Sequence, residues 1–362
     1  MDQKDLLKMA KRVFPKPKKA QEQVEAAASA AANNNMSAPG LESLRSPGMS
    51  MNEGPELGEG EIFGMPSSGI VEKRLRDGSK ALDKMSKGET DLTPSEQLGL
   101  EAIVLLVGRP ALLVQDDDFG TPPDEWQSLE GKRDMLKGII PSVGRVDLDG
   151  HPSFPWCGTA FLVGDGIAMT NRHVAQFFAQ PSGKEWKFSP GIKAKVDYRE
   201  EYQRDKSNEF KVDSVLGIHP TYDLALLKVA MKAGKKKAPA VLTVASSAPK
   251  ATKDGDVAVI GYPAFDSRNG RTEQMDIFKN IFNVKRLQPG KSTGLKATPA
   301  PEILGHDCST LGGNSGSCVV DLETGQVLAL HFGGQYLKGN VSVPLWKLTK
   351  DPFFKKFALN WA

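Results

Sequence analysis

Apolar positions in the first 34 residues recur at helical spacing. Leu6, Met9, Ala10 and Val13 share one face, predicting a short amphipathic helix, and an Ala-rich run from Ala20 to Ala32 predicts a second beyond Pro15 and Pro17. From Asn35 to Gly69 this periodicity stops, and four prolines and seven glycines predict a flexible linker whose second half is acidic, with Glu53, Glu56, Glu59 and Glu61. A helix is predicted over Ile70–Met85. Another is predicted from Thr93-Pro94-Ser95-Glu96 towards Val104, where Thr93 caps, Pro94 occupies the first turn and Glu96 stands three residues after the cap.

Beyond Val104 the pattern changes to short β-rich runs between turn residues: "WCGTAFLVG", "IAMTN", "DLALLKVA", "DVAVIGYP", "SCVVDLE" and "QVLALHFGG". This is the pattern of an all-β barrel or sandwich. A last helical segment is expected over about Lys350–Leu359. The organisation read from the sequence is a basic helical tail (1–34), a linker (35–69), a helical and extended region (70–137), and two β domains (138–237 and 238–362).

The net charge of +3 on 362 residues gives no argument for a nucleic-acid or membrane partner from the chain as a whole. The N-terminal lysines, Lys4, Lys8, Lys11, Lys16, Lys18 and Lys19 with Arg12, leave a local contact with nucleic acid, an anionic surface or a partner protein open beside the plainer reading of a solvated tail. Cys157, Cys308 and Cys318 are too few for a disulfide framework and match no zinc spacing. The first residues carry charges every few positions and no apolar core of about 7–15 residues, so no secretory signal is read. The most apolar stretch, Leu98–Val114, is broken by Glu101, Arg109 and Pro110, short of the roughly 20 apolar residues a bilayer-spanning helix needs. A cytoplasmic protein is the expectation.

Chemistry concentrates in three segments. "LGGNSGSCVV" puts Ser315 between glycines just before a strand, as suits a nucleophile on a tight loop whose amides must approach a substrate carbonyl. "GTAFLVGDGIAMTNRHVA" puts His173 after an apolar strand and a turn, and "HPTYDLALLKVA" puts Asp223 at the head of a strand. His219 is a rival base but sits in a turn-like stretch. The order His, Asp, Ser, with separations of 50 and 92 residues, is that of the chymotrypsin arrangement. An α/β-hydrolase elbow is excluded, since GxSxG would need glycine where Ser317 stands.

Together "GTAFLV…TNRHV", "HPTYDLALLKV" and "STLGGNSGS" resemble the trypsin-like serine proteases, bacterial ones above all. With "LHFGG" the last is most similar to the staphylococcal glutamyl endopeptidases. The resemblance runs from about Val143 to Leu348. It implies a chymotrypsin-like fold of two six-stranded antiparallel β-barrels preceded by a helical and partly disordered N-terminal region, and an endopeptidase acting on protein or peptide substrates without metal or organic cofactor. Ser315 becomes the nucleophile, His173 the general base and acid, Asp223 the orienting carboxylate, and the Gly313 and Ser315 N–H groups the oxyanion hole. Ser309 and Thr310 in the loop before the nucleophile, with the strand His331-Phe332-Gly333-Gly334, become the substrate pocket.

A trypsin-like pocket would need a carboxylate where Ser309 stands. Hydroxyl and imidazole donors from Thr310 and His331 instead suit a substrate Glu or Asp; the plainer reading of His331 is a core histidine. His306 lies near the same loop. Two departures from the family stand out. Val174 replaces the cysteine that would bridge to Cys157, and no free amine precedes the barrels at the point where glutamyl endopeptidases have one. Either cleavage supplies it, self-cleavage in the acidic linker being one route, or another cation such as Arg145, Arg172 or a lysine substitutes. The alternative from another class is a catalytically silent peptide-binding or adaptor module on the same fold.

Overall fold

A computed structural model describes residues 3–14, 16–22, 24, 68–104, 108–183, 185–204, 206–265, 274, 277–297, 301–335 and 339–362. The linker expected over 35–69 lies outside them except for 68 and 69, as does most of the Ala-rich helix. The chain divides into two units, Met1–Gly108 and Arg109–Ala362.

In the first unit α1 (Gln3–Val13), α2 (Ser68–Ser86) and α3 (Pro94–Ile103) bury one apolar cluster that includes Leu6, Ala10, Val13, Leu82, Met85 and Leu100. The cap expected at Thr93 is formed reciprocally: Glu96 N donates to Thr93 Oγ1 at 3.2 Å and Thr93 N to Glu96 Oε2 at 2.8 Å. No helix among the described residues is long and apolar enough to cross a membrane.

The second unit holds eighteen strands among its described residues. They are β1 Leu112–Gln115, β2 Asp118–Phe119, β3 Val143–Asp149, β4 Trp156–Gly164, β5 Ile167–Thr170, β6 Ala179–Ser182, β7 Glu185–Phe188, β8 Lys193–Asp197, β9 Glu209–Ile218, β10 Ala225–Val229, β11 Lys232–Ala233, β12 Lys236–Lys237, β13 Lys253–Gly261, β14 Arg286–Lys296, β15 Ile303–His306, β16 Cys318–Asp321, β17 Val327–Gln335 and β18 Gly339–Pro344. The first barrel closes in the order β10-β5-β4-β3-β8-β9. The second runs β13-β16-β17-β18-β15-β14 and closes through β13–β14 pairing, with β1 and β2 added beyond β14. These are the two six-stranded antiparallel barrels of the chymotrypsin-like fold.

The near-continuous apolar runs have a physical reason: their strands are buried on both faces, and side chains alternate between two cores. In β4, Ala160 and Leu162 fill the first barrel while Phe161 and Val163 enter the layer between the barrels. In β13, Val257 and Val259 fill the second barrel while Ala258 and Ile260 enter that same central layer.

Two local expectations change. In place of a helix near the C-terminus the chain makes 3-10 turns at Leu345–Leu348 and Phe354–Lys356, then crosses back so that Asn360 N donates to Val163 O of the first barrel at 2.7 Å. Pro352 and the burial of Phe354 favour tight turns over a continuous amphipathic helix. The stretch 109–119, read from sequence as part of the N-terminal region, instead contributes β1 to the second barrel's sheet, with Leu112 opposite Leu287 and Leu113 opposite Arg286.

Candidate active site

His173 lies in a single helical turn (α4, Arg172–Ala175) that follows β5 after Asn171. Asp223 precedes β10, which pairs with β5, so ladder register brings the two loops together. Asn171 Nδ2 donates to Asp223 O at 2.8 Å, fixing the carboxylate's backbone. Asp223 then receives His173 twice: His173 N donates to Oδ1 at 3.0 Å and Nδ1 to Oδ2 at 2.6 Å. Burial raises the carboxyl's pKa, but the hydrogen bonds and charge of His173 outweigh it, and Asp223 stays below the usual carboxylate range. An ionised partner at Nδ1 fixes the tautomer that leaves Nε2 as the proton acceptor.

The loop carrying Ser315 comes from the second barrel and is bolted to the first through Thr159 of β4. Thr159 N donates to Ser315 O at 2.8 Å, and its hydroxyl donates to Gly313 O at 2.9 Å. Thr170 Oγ1, three residues before His173, donates to Thr159 O at 2.7 Å. Gly316 has φ +89°, and a Cβ there would lie 1.9 Å from Thr159 O, so only glycine lets the loop seat. Gly313, at φ +83°, packs against the Trp156 ring and Tyr262 O with 2.4 Å left for a Cβ.

Among the backbone amides of this loop, Asn314 N donates to Leu311 O, Gly316 N to His331 O and Ser317 N to Asn314 O. The N–H groups of Gly313 and Ser315 have no acceptor among the described residues. Two open donors flank Asn314 beside a half-buried serine. Ser315 Oγ makes no hydrogen bond to His173 in this arrangement. The side chain of Asn314, between the two donors, is fully buried and pairs reciprocally with Gln288 of β14 at 3.0 and 3.3 Å. Nothing in the sequence marked Gln288; Thr159 stood in the "GTAFLV" motif and Asn171 in "TNRHV", each without an assigned role.

The residues expected to form the pocket sit as follows. His331 Nδ1 is 3.0 Å from His306 Nε2, both rings are buried, and burial is the main reason both resist protonation. His306 is pushed down to about 3. His331 is lowered further by His306 and by His173, placing it within electrostatic reach of the catalytic-type pair. Thr310 Oγ1 donates to Asn340 Oδ1 at 2.7 Å, so its proton is already used. Ser309 is buried and its hydroxyl donates to Arg109 O at 2.6 Å, forming a back wall rather than an open donor. Phe332 and Gly333 are half-buried and Gly334 is exposed; among the described residues Gly333 and Gly334 pair only with Val341 and Asn340, β16 having ended its pairing at Leu330.

Other candidates are engaged elsewhere. His219 is buried, and its Nδ1 accepts from Thr221 N and Tyr222 N, a turn-stabilising role. Arg145 is paired with Asp147 at 2.6 Å and Glu200 at 3.2 Å, and Arg172 donates to the carbonyls of His219 and Tyr222, so neither supplies the missing cation. Cys157, Cys308 and Cys318 are free thiols, and Cys157 Sγ lies 3.8 Å from Val174 O, beside the place where a family bridge would close. Burial pushes the thiols of all three up, that of Cys318 to about 12, so they are poor nucleophiles.

Comparison with known proteins gives the following. Residues 158–330 match the trypsin-like peptidase domain. A probable serine protease of Lysobacter enzymogenes is 26% identical over 297 residues, covering 73% of this chain and 76% of its own length. Among solved structures, the active form of the Rv3671c protease from M. tuberculosis is 20% identical with a TM-score of 0.41, covering 62% of this chain and 84% of that one. Its inactive form gives a TM-score of 0.38 with 62% and 92% covered.

Proposed function

We propose that this chain, a serine endopeptidase carrying a trypsin-like peptidase domain, hydrolyses peptide bonds through Ser315, His173 and Asp223 and prefers Glu or Asp before the scissile bond. The observation that carries the mechanism is the doubly bonded His173–Asp223 pair, at 2.6 and 3.0 Å, in the same unit as a loop with two open amides. His173 Nε2 takes the proton of Ser315 Oγ as the hydroxyl attacks. Asp223 stabilises the resulting imidazolium without itself taking the proton, and the Gly313 and Ser315 N–H groups hold the oxyanion. His173 then returns its proton to the leaving amine, and water reverses the sequence on the acyl-enzyme. Substrate pairs along the open edge of 332–334 as an added strand.

The acid preference rests on His331. His306 Nδ1 is buried without a partner, and an unpaired acceptor there is less unfavourable than an unpaired N–H. That tautomer makes His306 Nε2 the donor to His331 Nδ1, and His331 carries its proton on Nε2, a donor for a substrate carboxylate. Burial keeps His331 neutral, so it meets a substrate carboxylate as an uncharged N–H donor. A cytoplasmic site of action is supported by three unpaired thiols. Processing in the acidic linker remains compatible with the same preference, its target lying outside the described residues.

The test is a fluorogenic peptide panel varied at the residue before the scissile bond, with Ser315→Ala and His173→Ala as controls. Cutting after Glu that both substitutions abolish supports the whole reading. Full activity in Ser315→Ala would sink the mechanism, and triad-dependent cutting without acid preference would sink the pocket assignment alone.

A further inference from the structure

Arg109 lies about two hundred positions from the pocket loop in sequence, and no motif covers it, yet it is among the largest fully buried side chains of the protein. Its Nε donates to Asp307 Oδ1 at 2.6 Å and its Nη2 to Oδ2 at 2.8 Å, a bidentate pair with side-chain exposures of 2% and 3%. The Trp126 ring closes over the guanidinium at 5.7 Å. Its backbone carbonyl accepts the Ser309 hydroxyl at 2.6 Å. One residue thus holds both ends of the segment 307–309, immediately before Thr310.

The strand registers explain why a clamp is needed there. β14 is occupied on one edge by β13, and on its other edge by β15, from Lys296 back to Ser292, and by β1, at Leu287 and Arg286. Between these two partners the chain leaves the edge: Asp307 N still donates to Lys291 O, and Asp307 Oδ1 accepts Lys291 N at 2.7 Å, after which 308–311 peels away as irregular structure. The segment leading into β1 arrives at that fork. From Arg109 onwards it is fastened by Arg286 Nη1 to Ala111 O at 2.8 Å and by Val114 N to Lys285 O at 3.2 Å. On its far side the loop is held by Asn340, whose Nδ2 donates to Cys308 O at 2.6 Å and whose Oδ1 accepts Thr310.

We infer that Arg109 is a positioning residue for substrate selection: the strap that begins with it sets the wall of the pocket for the residue preceding the scissile bond, while the triad and oxyanion donors are held independently by Thr159 and Gln288. This rests on the assignment of the 309–310 loop to the pocket. The guanidinium's fixed fork matches a buried carboxylate at both oxygens, and a lysine at the same place keeps the charge but loses one bond and the planar fit.

The experiment compares wild type, Arg109→Lys and Arg109→Ala as full chains. Each is tested for its kcat/KM profile across every residue type before the scissile bond and for its rate of Ser315 labelling by a small fluorophosphonate, which needs the triad but not the pocket. The expected result for Arg109→Lys is a loss of about tenfold in kcat/KM on the favoured peptide, carried by KM, with labelling within about twofold of wild type. The profile should flatten towards the other residues. Arg109→Ala, which takes the guanidinium away from the buried Asp307 carboxylate, should show the same split or fail to fold, and in the latter case Arg109→Lys decides. An unchanged profile in folded Arg109→Lys, or labelling that falls in parallel with peptidase activity, overturns the inference. A wild-type profile favouring something other than Glu overturns the acid preference only, since the strap is judged on whichever residue is favoured.

Discussion

Lowering the pH loads the fold with protons it has no place for, and the buried ring of His306 is one such place. Its ring is completely buried, its Nδ1 has no partner, and burial pushes its pKa from 6.5 down to about 3. The unfolded chain binds that proton below about pH 6.5 whereas the folded chain refuses it, so stability is intact above this value and declines as pH falls, levelling off only near the folded pKa. At about pH 4.5 the gap is about two units, and at about 1.4 kcal/mol per unit His306 alone removes about 2–3 kcal/mol. His331, lowered in the same direction, adds to the loss. The carboxylate of Asp223, held low by His173, does so as well at more acid pH, so total acid sensitivity does not isolate the histidine.

A difference measurement does. His306→Gln keeps a donor to His331 Nδ1 and cannot titrate. Urea unfolding of both proteins at about pH 7 and about pH 4.5 should show wild type losing about 2–3 kcal/mol more than the variant over that interval. Such a shift is a sizeable share of the about 5–15 kcal/mol that stabilises an ordinary domain. If the difference between the two proteins is the same at both pH values, His306 does not stay neutral in the folded state, and the tautomer assigned to the His306–His331 pair fails with it.

Asp223→Asn keeps the shape of the site but removes the acceptor that fixes the His173 tautomer; kcat should fall about 10⁴-fold with folding unaffected, read by peptidase kinetics and circular dichroism. Gln288→Leu takes away the acceptor of the buried Asn314 Nδ2, leaving only the Ser317 hydroxyl on Oδ1, and should lower kcat about 10–100-fold with KM nearly unchanged, together with weaker binding of a peptide aldehyde. Thr159→Val removes the hydroxyl between Gly313 O and Tyr262 N and should lower stability by about 1–3 kcal/mol in denaturant unfolding. Gly316→Ala forces a Cβ into Thr159 O at a positive φ; labelling of Ser315 by a fluorophosphonate should be abolished even in protein that remains folded.

How far the sequence reaches depends on the range of the interaction involved. The cap at Thr93 was legible because its partners stand three residues apart, and the barrel strands were legible because burial on both faces writes an apolar run into each. The C-terminal turns were not, because Asn360 pairs with Val163 through a contact that local helical spacing does not encode.

The types and order of His173, Asp223 and Ser315, and the glycines at Gly313 and Gly316, were legible in the sequence by itself, since glycines around a serine on a tight loop are written in adjacent positions. Only tertiary structure decided what surrounds them. Closure of the barrels placed Thr159 under the nucleophile loop, turned Gln288 towards Asn314, seated His306 behind His331, and brought Arg109 to Asp307 across 198 positions. It also spent the Thr310 hydroxyl on Asn340, where the sequence offered it to substrate, and that of the expected pocket residue Ser309 on Arg109. A buried polar group takes whichever partner the packing brings within about 3 Å, and that partner is chosen by strand register rather than by neighbours in the chain.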